Sequence, residues 1–220
     1  SRPHIVTKDT GDERLEPMED LAIDVPEDYQ GIVIAQVGTR RGVLSKVIND
    51  GNGRVLLEFR IPARGLIGFR SQFLTDTKGT GIMNHLFAGW DPWHGTIEPR
   101  TTGALVADRV GSATAYAIYN LQNRGDLFLD PGTLVYEGMI IGENARAKDM
   151  DVNITKEKKQ TNMRAASADE AIRLIPPVAM SLEQSISFIK DDELLEITPK
   201  NLRMRKKILV ANQRPKRFND

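Results

Sequence analysis

The chain has 220 residues, 40% hydrophobic and 27% charged, which suits one large or two small domains with a packed core and excludes wholesale disorder. It has no cysteine, so disulfide frameworks and thiolate metal sites are excluded. No apolar run approaches the ~18 residues that a membrane-spanning helix needs, and the net charge of zero hides an uneven spread: nine acids against three bases in residues 1–30, and eight bases with no acid in residues 200–217.

In chain order, Leu21, Ile23 and Val25 alternate with polar neighbours, the period of a half-buried strand. Pro26, Glu27 and Asp28 then open a helix on whose face Tyr29, Val33, Ile34 and Val37 recur, with Gly42 as its expected stop. Residues 43–48 read as a strand, 49–53 as a turn, and 54–61 as a strand with Val55, Leu57, Phe59 and Ile61 on one face. The glycine-rich stretch 62–81, "PARGLIGFRSQFLTDTKGTG", invites a phosphate-cradle reading. Leu66, Phe69 and Phe73 nevertheless fall at helical spacing, which predicts a helix that tolerates Gly65 and Gly68 and stops at Gly79 and Gly81. Residues 82–90 close the unit as a strand. The order strand–helix–strand–strand–helix–strand predicts an α+β, ferredoxin-like βαββαβ domain.

Beyond "WDPWHG" (90–95) the texture changes. We expect a strand at 103–110, a helix at 113–125, a pair of strands around Gly138 within 132–146, a short strand at 151–155 and a loop at 157–167. A helix at 181–189 carries a capping box, Ser181 with Gln184, and a buried line of Leu182, Ile186 and Ile189. Two strands follow, and in the second Arg203, Arg205 and Lys207 share a face. This is a second, mixed α/β domain, and the expected boundaries are 1–15 for a linker or the end of a preceding domain, 16–92 and 93–220.

The chemistry points to binding rather than catalysis. G-x-x-x-x-G-K-[ST] is absent, and the three D-x-x-G matches (Asp50–Gly53, Asp76–Gly79, Asp108–Gly111) sit at plausible turns. His4, His85 and His94 lack metal-ligand spacing, no nucleophile–base pair is in register, and the run Asp191–Asp192–Glu193 reads as solvated surface. Trp90 and Trp93 suit packing where two domains abut better than stacking on bases. Two basic elements suit a phosphodiester backbone. One is the loop with Lys156, Lys158, Lys159 and Arg164, where Thr161 and Asn162 add hydrogen-bonding groups. The other is the strand and tail with Lys200, Arg203, Arg205, Lys206, Lys207, Arg214, Lys216 and Arg217.

"EDYQGIVIAQVGTRRG" (27–42) and "IPARGLIGFRSQFLTDTKGTG" (61–81) resemble the fifth domain of elongation factor G and its relatives. "RGLIGFR", "LQNRGDLFLDPGTLVYEGMIIGENAR" (121–146), "KKQTNMRAA" (158–166) and "DDELLEITPKNLRMRK" (191–206) resemble the C-terminal half of the BipA/TypA family of translational GTPases, over essentially the whole chain. The resemblance implies a cytoplasmic, monomeric, ribosome-binding piece of a GTPase tied to stress and low-temperature adaptation and to large-subunit assembly. Its GTP and Mg would be held by domains upstream of this stretch, which itself would carry no cofactor, metal or catalysis. The implied partners are the ribosome, large-subunit rRNA and A-site tRNA, with loop 156–166 reaching toward the peptidyl-transferase region and no membrane involved. A regulatory small-molecule-binding domain of ferredoxin-like fold is the alternative.

Overall fold

In the computed structural model the chain divides into two compact units, Pro3–Glu98 and Pro99–Asp220. The structure describes residues 1, 3–11, 13–49, 51–97, 100–158 and 173–215.

The first unit runs β1 (Lys8–Asp9), β2 (Arg14–Pro26), α1 (Gln30–Thr39), β3 (Val43–Asn49), β4 (Arg54–Pro62), α2 (Phe69–Asp76) and β5 (Ile82–Pro92). The sheet is antiparallel in the order β5-β2-β4-β3, with β1 paired to the start of β2. That is the ferredoxin-like arrangement. Alternation sends Leu21, Ile23 and Val25 of β2 and Val55, Leu57, Phe59 and Ile61 of β4 to one buried face, where Val33 and Val37 of α1 and Phe69 and Phe73 of α2 cover them. Each such side chain contributes roughly 1.5–3 kcal/mol on burial.

Both helix ends differ from the sequence reading. At the end of α1 the left-handed residue is Arg41 (φ 64°), not Gly42. The Arg41 N–H donates to the Gly38 carbonyl at 3.0 Å and the Gly42 N–H to that of Val37 at 2.9 Å, a Schellman closure. The continuous helix expected from Leu66 to Phe73 is broken: Ala63–Leu66 form a 3-10 turn, Ile67 is extended, and Gly68 (φ 72°, ψ 0°) precedes α2. The Arg40 guanidinium holds this break, donating to the carbonyls of Gly65 (2.9 Å) and Ile67 (3.0 Å) and lying over the Phe69 ring. Gly68 is therefore a conformational requirement rather than a tolerated cost. Gly68→Ala is expected to lower stability by about 1–2 kcal/mol, read as a lower urea midpoint at unchanged m. An unchanged midpoint would show that the left-handed break is not needed.

The second unit runs β6 (Gly103–Ala107), β7 (Gly111–Ser112), α3 (Ala115–Leu121), β8 (Gly125–Leu127), β9 (Leu134–Val135), β10 (Met139–Asn144), β11 (Met150–Val152), α4 (Leu182–Phe188), β12 (Glu193–Ile197) and β13 (Leu202–Lys206). Its main sheet has the order β11-β6-β10-β13-β12 with β8 also on β10, and only β11–β6 is parallel. All five residues of β6 are buried because both faces are covered. Leu105 and Ala107 meet Ala117, Ile118 and Leu121 of α3, while Ala104 and Val106 meet Phe188 and Ile189. The strands around Gly138 do not pair with each other: β9 forms a ribbon with β7, and β10 enters the main sheet. The helix expected to end at Gly125 ends at Leu121, and Gly125 opens β8. The capping box is present, with the Gln184 N–H donating to Ser181 Oγ at 3.2 Å and the Ser181 N–H to Gln184 Oε1 at 2.8 Å. Of the expected line, Ile189 at the end of α4 is buried and Leu182 is exposed, and the residues buried within the helix are Ser185 and Phe188.

Residues 93–97 stay with the first unit because of one buried ion pair. Glu16 is fully buried and receives the Arg64 guanidinium, while the His94 N–H donates to it at 2.7 Å. Arg64 also donates to the Gly95 carbonyl, and the guanidiniums of Arg14 (4.1 Å) and Arg64 (3.8 Å) both lie over the Trp93 ring. Trp90 meets Phe87 edge-on and carries the Lys8 ammonium at 4.1 Å. Both rings, expected where domains abut, thus have these partners inside the first unit.

Candidate nucleic-acid interface

The basic strand β13 sorts its cations by alternation. Arg203 and Arg205 are half-buried on one face, and Lys207 lies beyond the strand and is exposed. Arg205 is bonded to Glu196, which also accepts the Tyr136 hydroxyl at 2.7 Å. Burial, then the hydrogen bond to Glu196, pushes the Tyr136 phenol above its ordinary value. Burial works to raise Glu196, but its bonds from Tyr136 and Arg205 outweigh it and hold the carboxyl low. Lys200, in the turn between β12 and β13, is exposed.

Lys206, expected among the RNA-facing cations, is buried instead. It points to the opposite face, is 2% exposed, and its ammonium is held by Asp149 (2.5 Å), Glu193 (2.7 Å) and Asp192 (3.0 Å). Glu193 is itself fully buried and takes a two-pronged contact from Arg100 at 2.8 and 2.9 Å. The acid run 191–193 is therefore not plain solvated surface. Two of its members, the buried Glu193 and the half-exposed Asp192, together with Asp149 neutralise Lys206 and Arg100. Burial acts to raise Asp149, yet the Lys206 ammonium and the Ala104 N–H hold it below its ordinary value. Arg214 is likewise structural: it donates to Asp151 at 2.6 Å and to the carbonyls of Ile208 (3.0 Å) and Leu209 (2.6 Å), fastening the tail to β11.

In the loop, Lys156 and Lys158 are exposed. Lys159, Thr161, Asn162, Arg164, Lys216 and Arg217 lie outside the described residues. The sequence reading missed a polar groove lined by Asn120, Asn123, Arg124 and Arg146. Its only sequence signal is that "NLQNRG" and "NARAK" are both turn-forming and basic.

The remaining chemistry is occupied. Of the three D-x-x-G carboxylates, Asp76 accepts from Gln36 and Gln72, Asp108 pairs with Arg109 at 2.8 Å, and Asp50 lies outside the described residues. Among the described residues no group of three or more His, Asp or Glu is placed to hold a metal ion, and no helix is long and apolar enough to cross a membrane.

A model of the elongation factor G C-terminus matches residues 13–101, and a model of the TypA/BipA C-terminal domain matches residues 102–211. Among curated proteins, the chain is 46% identical over 215 residues to the large ribosomal subunit assembly factor BipA of Salmonella typhimurium, covering 97% of this chain and 35% of that protein. The protein of the same description from Bacillus subtilis is 44% identical over 217 residues (98% and 36%). That from Haemophilus influenzae is 47% identical over 220 residues (100% and 36%). The chain spans about a third of the length of these relatives.

Proposed function

This chain belongs to the TypA/BipA family, and on that footing we propose that it is the ribosome- and RNA-binding C-terminal module of a translational GTPase. In this reading it works in the cytoplasm as a monomer, meets large-subunit rRNA and the A-site tRNA, and serves large-subunit assembly under stress and at low temperature. The relatives' description as large-subunit assembly factors supports the choice of partner. The observation that carries the RNA reading is the partition of charge in the second unit. Asp149, Asp151, Asp192 and Glu193 are engaged by Lys206, Arg100 and Arg214, while Lys156, Lys200 and Lys207 remain exposed. Exposed cations beside internally neutralised acids supply the sequence-independent part of RNA affinity.

GTP and Mg do not fit here. The chain has no glycine-rich phosphate loop, and the D-x-x-G carboxylates Asp76 and Asp108 are bonded elsewhere. The module itself is therefore read as non-catalytic. Loop 156–166, with Lys158, Lys159, Thr161, Asn162 and Arg164, is the segment assigned to the tRNA end and the peptidyl-transferase region.

Co-sedimentation of the 220-residue chain with large subunits across a salt series tests this. Saturable binding with log affinity falling linearly in log salt is expected. The Lys200→Ala, Arg203→Ala, Lys207→Ala variant should flatten the slope by about 2 if three phosphates are lost. Absence of binding at low salt would refute the reading.

A further inference from the structure

We propose that the groove between the C-terminal end of α3 and the turn 145–149 binds a single-stranded RNA segment. Arg124 and Arg146 meet its phosphates, and the amides of Asn120 and Asn123 meet its base edges. This rests on the RNA-binding reading above and gives it a location centred on Arg124 and Arg146, which neither basic element named from the sequence contains, and which meets the basic loop only at Lys156.

The groove has a volume of about 370 Å³ and continues, past Asn120, Arg124 and Met150, into a second of about 500 Å³ that reaches Tyr116 and Lys156. Segments far apart in sequence build it, and backbone bonds fix them. The Arg124 N–H donates to the Leu121 carbonyl and the Ala145 N–H to the Arg124 carbonyl, both at 2.8 Å, which ties the two turns together. Next to them Gly125 crosses β10 so closely that a β carbon would overlap the Glu143 carbonyl. Asn144 is 2% exposed, donates to the Lys148 carbonyl at 2.6 Å and accepts the Arg146 N–H at 3.3 Å. The Arg146 carbonyl in turn accepts the Gly103 N–H at 2.7 Å. The backbone that carries both arginines is thus held in place, while their side chains are exposed. Preorganisation of this kind lowers the ordering cost of binding.

Charge points the same way. No carboxylate lines the first groove, and the one acid lining the second, Asp151, is engaged by Arg214. Asp149, beside Lys148, is bonded to Lys206 and the Ala104 N–H. Arg124, Arg146, Lys148 and Lys156 have no ion-pair partner among the described residues. Guanidiniums grip phosphate in two-pronged fashion, and carboxamides offer both a donor and an acceptor to base edges. Tyr116 adds a ring on which an unstacked base can lie. Two adjoining grooves of this chemistry suit a single strand better than a duplex, whose base edges are already paired.

The test is binding of a labelled single-stranded RNA oligonucleotide to the 220-residue chain across a salt series, with a duplex of the same length as competitor. The Arg124→Ala, Arg146→Ala double variant should bind about ten-fold more weakly or worse. Its salt slope should fall by about 1.4, the value for two single-strand phosphate contacts. Asn123→Asp, which puts a carboxylate into the groove, should also weaken binding. Circular dichroism checks that each variant keeps its fold. If the parent chain binds no RNA at low salt, the functional reading and the groove both fail. If the parent binds and both variants keep its affinity and slope, the groove alone fails and the RNA sits elsewhere. A duplex that competes as well as the single strand overturns the single-strand assignment.

Discussion

Arg100→Ala is expected to destabilise the second unit by about 3–5 kcal/mol, roughly 10–20 °C in its melting temperature. The side chain is 7% exposed and its partner Glu193 fully buried, so the substitution leaves a carboxylate in the interior without its two-pronged counter-ion. It also removes the stacking of the guanidinium on the Phe188 ring at 3.9 Å and the donation to the Phe188 carbonyl at 2.6 Å. Both tryptophans of the chain, Trp90 and Trp93, lie in the first unit. Far-UV circular dichroism should therefore show an early transition that tryptophan fluorescence does not follow. Coincident transitions in the variant, at the parent's midpoint, would show that the buried cluster adds nothing. The cluster's pH window follows from its members. Asp149 is held below its ordinary 3.8, so its contribution is complete above that value and lost as pH falls through the lower folded-state one. Burial works to lower Lys206, but Glu193 and Asp149 outweigh it and raise it above 10.5, so its contribution is complete below 10.5 and lost only as pH rises through the higher value.

Arg64→Ala should cost the first unit about 3–4 kcal/mol, and in a pH-dependent way. In the parent, burial acts to raise Glu16, but the Arg64 guanidinium and the His94 N–H hold it below 4.5. Its stabilisation is complete above that pH and disappears as pH falls through the folded-state value. Without Arg64, burial dominates and the Glu16 carboxyl shifts upward. The variant's defect should then be largest near neutrality and shrink in acid, as protonation removes the stranded charge. Urea unfolding followed by tryptophan fluorescence from pH 4 to 8 reads this directly, because Trp93 lies on the replaced side chain. A defect that is the same at every pH would mean that Arg64 acts by packing alone.

The parts of the fold legible in sequence are those set by local period. Val55, Leu57, Phe59 and Ile61 announce β4, and the spacing of Ser181 and Gln184 announces the start of α4. Other features were hidden because distant partners decide them. The apolar spacing from Leu66 to Phe73 suggests one helix, and only Arg40, bonded to the carbonyls of Gly65 and Ile67, reveals the break at Gly68. Lys206 and Glu193 look like surface charges until Asp149 and Arg100 close around them. Of the basic residues named from the sequence, Lys156, Lys200 and Lys207 are exposed, whereas Lys206 and Arg214 are turned to structural tasks. The groove of Arg124 and Arg146 combines three segments with no shared pattern, so no window along the chain displays it.

The position of β13 within its sheet bears on how the chain is made. The first unit holds all its strands once residue 92 has emerged during synthesis. The second cannot close until residue 206, because β13 lies between β10 and β12. Until then the stretch of β10's edge at Met139 and Ile140, beyond the part that β8 covers, is open to pairing with another nascent chain. The same strand delivers Lys206 to three waiting carboxylates, so the last segment of the sheet to arrive also brings the cation that discharges their mutual repulsion. Order of emergence thus makes the second unit the aggregation-exposed half of the molecule, and the first a folded leader that is complete before it.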